Sequence, residues 1–373
     1  FLKQSLYVST LSFFISLPLV VSANYEVNVF SIFLNIIFVL MIEGIILPFS
    51  FVVCFLPFLN KIYYYALMSF IKGSYFFSEY FGIILKFRKF STIEVLLYYF
   101  LWYMLIRLLK EKKWRKLLSF LLCGYILGLS VFSNFSYWGE VHFLDLKNGE
   151  STIIMDRLGG PVIVIDTGDG THNAVSNFLK SKGIKKIDLL IITHNHNDHN
   201  GEVLTILKEF KVTKIVISAY DNSVLKNLSN VQKVRTGDVL TVKDFIIHIV
   251  HPNQKYENEN DNSIVLLMRI SDKKFLFMGD ATKKVEEQLL FLDVDVLKVG
   301  HHGSNTSTSD KFIKSVSPEY AIVQTGRITK FGFPHSEVIK ILNENKITIY
   351  RTDINYSIKF RFNQKTGIFS SIK

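Results

Sequence analysis

A chain of 373 residues is long enough for two or three domains, and 49% hydrophobic side chains with 33 Phe are high for a soluble protein. All ten His lie after residue 140, and 12 Lys/Arg against 5 Glu give residues 1–139 a charge of +7 out of the total +11, leaving +4 for the rest. The two cysteines, Cys54 and Cys123, both fall in apolar runs of the front half, which excludes a disulfide framework or a Cys-ligated zinc in the His-rich half. These contrasts divide the chain into a membrane part, 1–138, and a soluble part, 139–373. The chain opens at Phe1 with no charged region or cleavage site ahead of its first apolar run, and is read as the C-terminal piece of a longer membrane protein.

Apolar segments come first. Residues 8–23 form one candidate span, with Pro18 as a kink, and residues 29–59 form one tilted span or two short ones broken near Glu43 and Pro48. Glu43 marks either a functional carboxylate within the membrane or a helix break at an interface. Residues 61–85, rich in Tyr and Phe around Lys61, Lys72 and Glu79, read as an interfacial or re-entrant segment. Residues 92–109 and 117–133 read as better spans. Between them, 110–116 carries five positive charges and is assigned to the cytoplasm, although Lys86, Arg88 and Lys89 at the other end of the preceding span weigh against it. A patch for DNA or lipid is the alternative reading of 110–116. With that loop cytoplasmic, everything beyond Trp138 lies outside the cell.

From Glu140 the pattern changes to short strands and turns. Residues 141–146, 152–155 and 161–165 predict a meander turning at Gly159-Gly160, and Asp166-Thr167-Gly168 ends its third strand. A helix is expected over 173–182, a buried strand over 187–192, and a helix over 202–210. Strands follow at 214–218, 245–250, 263–269 and 274–278, then a helix at 283–292 and a strand at 294–299. Strands that alternate with helices and end in polar side chains predict a layered α/β sandwich with its site along one edge.

The strand at 187–192 runs into Thr193-His194-Asn195-His196-Asn197-Asp198-His199-Asn200-Gly201. Four ligand-type side chains at His-x-His-x-Asp-His spacing point to metal, because imidazole suits zinc and similar ions and carboxylate suits harder ones. Asp280 follows an apolar strand directly and is placed to bridge two ions, or else to cap the helix after it. His301 and His302 close another strand: one ligates while the other meets substrate or supports a ligand. His251, before Pro252, is a further ligand or a turn residue. His335 is placed near a leaving-group oxygen, and Asp166 either orients a ligating His or caps a turn. His142, His172 and His248 are read as structural. Two divalent ions, zinc or manganese, would supply a hydroxide nucleophile, so the reaction class is metal-assisted hydrolysis with no Ser or Cys nucleophile.

His-x-His-x-Asp-His, the later Gly279-Asp280 and the terminal His resemble the metallo-β-lactamase superfamily. Within it, residues 139–373 resemble the C-terminal domain of ComEC-type competence proteins, the membrane channels of natural DNA uptake. The likeness rests on Phe143-Leu144-Asp145, Gly149-Glu150-Ser151, Val164-Ile165-Asp166-Thr167-Gly168, Asp261-Asn262-Ser263, Leu297-Lys298-Val299-Gly300-His301-His302-Gly303-Ser304 and Arg351-Thr352-Asp353. In the front half, Ile15-Ser16-Leu17-Pro18-Leu19 and Asn35-Ile36-Ile37 are similar to the end of that family's membrane domain. There are departures: the family's Val-Gly-Gln-Gly-Asp is Leu146-Lys147-Asn148-Gly149-Glu150, and its Gly-His-Pro-His is Gly332-Phe333-Pro334-His335. His196 stands where this branch often has Asp, and Asn200 replaces a glycine.

The resemblance implies an αββα sandwich that binds two metals through His194, His196, Asp198, His199, Asp280 and His301. His335 or His302 would steady the scissile phosphate or protonate the leaving oxygen. It implies a multi-pass protein of the bacterial cell membrane whose outer domain hydrolyses the non-transported DNA strand. Its partners would be single-stranded DNA in transit, the lipid membrane and other uptake-machinery proteins, and an oligomer is compatible with this role. Hydrolysis of a small ester, thioester or lactone is the alternative within the superfamily, and a domain that only guides DNA is the non-enzymatic one.

Overall fold

The computed structural model describes residues 2–108, 112–228, 230–290, 292–327 and 331–372. Two compact units result: Phe1–Ser133 with Lys180–Gly183, and Asn134–Leu179 with Ile184–Lys373. The division thus falls five residues before the sequence-based boundary at 138, and residues 180–183 group with the first unit.

In the first unit, helix Leu2–Asn24 runs through Pro18 without a break. Ser31–Met41 passes through the π-helical turn Ile42–Ile46 into Leu47–Phe55. The expected interruption near Glu43 and Pro48 is this turn: its wider ring, closed by Leu47 N–H on the Ile42 carbonyl, carries the helix past a proline in the next first turn. Asn60–Tyr80, Thr92–Arg107 and Lys112–Val131 follow, with strands Glu26–Asn28 and Ile84–Lys86 paired antiparallel.

Among the described residues, two helices are long and apolar enough to cross a bilayer, Lys3–Asn24 and Ser31–Phe55. The segment expected at 92–109 is only 16 residues of helix, because Ser91 and Glu94 form a capping box at its start and it ends at Arg107. That expected at 117–133 is likewise short, an apolar run of Lys116–Val131. The apolar stretch of each falls below the roughly 20 residues a bilayer core requires, although the second helix as a whole, Lys112–Val131, is 20 residues long. Of the basic loop, Lys110 and Glu111 lie outside the described residues.

In the second unit, buried parallel strands pack on both faces, which is why they read as unbroken apolar runs. One sheet has eight strands, in the order Val231–Val234, Ile215–Ser218, Leu189–Ile191, Val162–Ile165, Thr152–Met155, Gly139–Phe143, Ser357–Phe362 and Gly367–Ile372. The other has seven, in the order Val239–Val242, Phe245–His251, Val265–Ile270, Lys273–Phe277, Val296–Lys298, Tyr320–Val323 and Thr348–Arg351. Alternate residues serve different layers. Ile163 and Ile165 meet Phe275 and Phe277 between the sheets. Val162 and Val164 pack outward against Val175, Leu179, Val203 and Ile206 of helices Ala174–Ser181 and Val203–Glu209. Leu276 and Leu297 pack outward against Phe312 and Val316 of Asp310–Val316 and Val338 and Leu342 of Ser336–Glu344. The layers run helix, sheet, sheet, helix, as the family resemblance implies.

Several elements have no counterpart in the sequence reading, among them Ser357–Phe362, which pairs with Gly139–Phe143 and ties the two ends of the unit together. The helix expected over 283–292 is only Lys283–Glu286. Glu286 turns inward instead, where its carboxylate accepts from Thr308 N and from Ser309 N at 2.9 Å.

Candidate metal centre

Parallel pairing puts the ends of several strands along one edge. Leu189–Ile191 runs parallel to Val162–Ile165, and Val296–Lys298 runs parallel to Lys273–Phe277, so the polar residues after each strand emerge together. The loops are then tied to one another. Thr193 donates from N and Oγ1 to the two carboxylate oxygens of Asp166, at 2.7 and 2.8 Å. Asp280 N donates to Ser263 Oγ at 3.1 Å, and His301 N to the Gly279 carbonyl at 3.0 Å. Gly279 has φ +53°, and a Cβ there would lie 3.0 Å from Ser263 and 3.1 Å from Thr193, so glycine is what lets the Asp280 loop close on the His loop.

Asp280, 2% exposed, is the centre of the cluster. Its carboxylate oxygens lie 3.2 Å from His199 Nε2, 3.7 Å from His194 Nε2, 3.7 Å from His302 Nε2 and 3.8 Å from His301 Nε2. His194 Nε2 is 3.0 Å from His196 Nδ1, and His302 Nε2 is 3.3 Å from Asp198 Oδ2. Among the described residues three groups that could hold an ion result: His194, His196 and Asp280; Asp198, His199 and His302; Glu150, His199 and Asp280. The inward-facing nitrogens are set by what holds the opposite side of each ring. His199 Nδ1 is held by Asp166 at 2.8 Å, and His302 Nδ1 donates to the Gln324 carbonyl at 3.1 Å. Among the described residues His199 Nε2, Asp280 Oδ1 and His302 Nε2 are buried without a hydrogen-bond partner. Buried polar atoms are seldom left so, and three of them converging, all of ligand type, fit divalent ions.

Electrostatics agree with this geometry. Burial opposes charge on every group here, yet the Asp280 and Asp166 carboxylates raise His199 well above the usual imidazole range. Asp280, with Asp198 and Glu150, likewise raises His302 against burial. In return, burial pushes the two carboxyls up, but His199 and His302 outweigh it and hold Asp198 and Asp280 below their ordinary range. His194 goes the other way: burial, reinforced by His199, takes it well below, so it stands neutral and ready to ligate.

The structure brings together His194, His196, Asp198, His199 and Asp280. Of the two adjacent histidines, His302 lies inside a ligand group, whereas His301 sits at the rim with Nδ1 on Thr306 Oγ1 at 2.9 Å. Both have left-handed backbone (φ +48° and +53°), and His301 Nε2 still lies 3.8 Å from Asp280, so the resemblance's assignment of His301 is a question of ligand distance rather than of place. His251 stays outside the cluster. It is 1% exposed, its Nε2 donates to the Asp261 carbonyl at 2.7 Å, and its ring packs on Tyr256. His335 is also not brought to the ligands, since Nδ1 accepts from Asn305 N at 2.9 Å and Nε2 faces the Phe331 carbonyl at 3.1 Å. Asp280 is not the cap of the following helix, whose N-cap is Thr282. Asp166 takes the orienting position. His142 is buried on Glu140 at 2.8 Å.

Sequence reasoning missed Glu150 and Lys298. They form a buried ion pair beneath the cluster, 3% exposed each, with Glu150 oxygens 3.8 Å from His199 Nδ1 and 3.5 Å from His302 Nδ1. Burial raises the Glu150 carboxyl, and Lys298 pulls it back. The signal was Glu150 itself, an acid in a loop that departs from the family pattern. Above the cluster opens a cleft of about 500 Å³, lined by Asn148, His196, Asp198, Asn260, Asp280, His302, Phe331 and Phe333 among others, a size that suits small ligands.

Residues 148–327 match the metallo-beta-lactamase superfamily. "ComE operon protein 3" of Bacillus subtilis is 32% identical over 281 residues, covering 66% of this chain and 36% of that protein. "Recombination protein 2" of Haemophilus influenzae is 30% identical over 254 residues, covering 65% of this chain and 31% of that protein. The chain therefore spans about a third of the length of these curated relatives. Among solved structures, the metallo-beta-lactamase fold protein YhfI from Bacillus subtilis aligns with a TM-score of 0.44 at 9% identity, covering 62% of this chain and all of that one.

Proposed function

We propose that this chain, a homologue of competence proteins with a metallo-β-lactamase fold in its C-terminal region, is part of a DNA-uptake membrane protein and hydrolyses DNA phosphodiesters. In this reading residues 1–138 are the end of a multi-pass membrane domain and the catalytic unit faces outward. The observation that carries the chemistry is the convergence of His194, His196, Asp198, His199, Asp280 and His302 beneath one open cleft, with buried atoms lacking partners.

His194, His196 and Asp280 would hold one divalent ion, and Asp198, His199 and His302 a second, with Asp280 between the groups. When bound, zinc or manganese supplies a hydroxide nucleophile near neutral pH and neutralises charge developing on a phosphoryl oxygen. The chain's own residues prepare the place. Asp166 and the Gln324 carbonyl fix the tautomers and directions of His199 and His302. His301, at the rim with 20% of its side chain exposed, is positioned to meet an oxygen of the substrate. Lys298 offsets the charge of Glu150 beneath the cluster. His251 and His335 brace loops and take no part at the ligands.

The test is cleavage of end-labelled single- and double-stranded DNA by the purified chain in detergent, stripped with chelator and given back zinc or manganese. Metal-restored cleavage that is absent in Asp280→Ala is expected. Hydrolysis of a small ester or lactone with DNA left intact would replace this reading, and an inert protein with metal bound would favour a guiding domain.

A further inference from the structure

An aromatic stack leads out of the cluster. The His302 ring lies against Phe333 with centroids 6.0 Å apart and planes 25° from parallel, and Phe333 lies against Phe331 at 5.5 Å and 26°. Phe331 is 71% exposed. Both phenylalanines line the same cleft as Asp198, Asp280 and His302. Neither belongs to the hydrophobic clusters of this unit, so the outer ring is not there to fill the core. The stack is also firmly held. His335 N donates to the Gly303 carbonyl at 2.9 Å, and the same ring accepts from Asn305 N and faces the Phe331 carbonyl. A Cβ on Gly303 would lie 2.6 Å from Pro334, so the two loops approach as closely as glycine allows. The loop bearing the phenylalanines is thereby clamped to the loop bearing His301 and His302.

We propose that Phe331 and Phe333 form a stacking platform for an unpaired nucleobase next to the scissile phosphate, selecting single-stranded over duplex substrate. This rests on the phosphodiesterase reading above. A nearly parallel aromatic pair with one open face accepts a planar π-faced group, and every base presents such a face whatever its sequence. Within a duplex both faces of a base are already stacked, so only a splayed or single-stranded base can dock. The side-chain amides of Asn148, Asn197 and Asn260 along the cleft are uncharged and can donate to or accept from a base edge. His335 is a positioning residue here, acting through the Phe331–Phe333 loop.

The experiment uses the full chain in detergent with three oligonucleotide probes: an intact single strand, the same strand with one abasic site stepped along it, and the intact strand annealed to its complement as a duplex, which the parent should bind more weakly than the single strand. Binding is measured without metal and cleavage with it, for the parent, Phe331→Ala and Phe331→Trp, with bound metal counted in each. Loss of stacking on one base weakens binding by about tenfold or more. The expected result is that loss in Phe331→Ala with metal content unchanged, and retention in Phe331→Trp. An abasic site at one position weakens the parent equally and adds nothing further to Phe331→Ala. DNA cleavage that is insensitive to Phe331→Ala and to every abasic position would overturn the platform while leaving the phosphodiesterase reading intact. Base-dependent binding without any cleavage would keep the platform and remove that reading. No binding to any probe would remove both.

Discussion

Gly149→Ala tests how the loop before the first meander turn governs the metal ligands. Gly149 has φ +80°, and a Cβ there would lie 2.0 Å from the backbone oxygen of Asp198 and 2.9 Å from its Cβ. Ordinary contact begins near 3.4 Å, so one loop must retreat by more than an ångström. The retreat also breaks the 3.2 Å hydrogen bond from Glu150 N to the Asp198 carbonyl. Left-handed backbone costs an alanine about 1–2 kcal/mol, and the lost hydrogen bond about 1 kcal/mol more, so the metal-free protein loses roughly 2–3 kcal/mol. Disturbing the groups that hold a metal ligand weakens a site by roughly 10–100-fold. Gly237→Ala is the control: its φ is +93°, yet nothing lies within 4 Å of the added carbon, so it bears the backbone cost alone. Zinc titration against a competing chelator, beside thermal unfolding without metal, separates the two. Both variants should melt earlier, and only Gly149→Ala should lose affinity. Equal metal affinity in the two variants would refute the reasoning.

Four further outcomes follow from the site. Asp280→Asn removes the carboxylate that faces four imidazoles, and elemental analysis should find at most one ion per chain in place of two. Metal binding should release protons. Although burial opposes it, the Asp280 carboxylate keeps His199 and His302 protonated above the usual imidazole range, so an incoming ion must displace those protons. Affinity should therefore rise as pH is raised through and above 6.5 and level off beyond the raised values; a flat profile in a dye-monitored titration would count against this. Lys298→Met leaves Glu150 buried without its counter-charge and should destabilise the unit by about 3–5 kcal/mol, while adding Glu150→Gln should recover most of the loss in a denaturant double-mutant cycle. His251→Ala should leave the metal content unchanged but cost about 2–4 kcal/mol, since it leaves the Asp261 carbonyl without its donor and empties the space of a buried ring packed on Tyr256.

The first four candidate ligands, His194, His196, Asp198 and His199, were legible because they are close in sequence and follow a strand buried on both faces, which reads as a plain apolar run. Asp280 and the paired histidines were legible for the same reason, each standing just past an apolar strand. The choice between His301 and His302 was not, since the two are adjacent and identical and only the packing of the folded loop decides which ring meets Asp198 and His199. Glu150 was hidden because the Lys298 that neutralises it lies 148 positions away. Ser357–Phe362 carries Lys359 and Arg361 on its outer positions and Ile358, Phe360 and Phe362 inward, the alternation of a half-buried strand. Its pairing with Gly139–Phe143 joins opposite ends of the unit and has no local signature. In the front half, hydropathy marked the segments but not their lengths, which the Ser91 cap and the π-helical turn decide.

The most direct test of the metal centre is the number of divalent ions held by the purified chain after chelation, reloading with zinc or manganese, and exhaustive dialysis. Two ions per chain in the parent, fewer in Asp198→Ala and in His302→Ala, and two in His301→Ala and His251→Ala are expected. A parent chain that retains no ion, or a His301→Ala variant that loses one while His302→Ala keeps both, would contradict this ligand set.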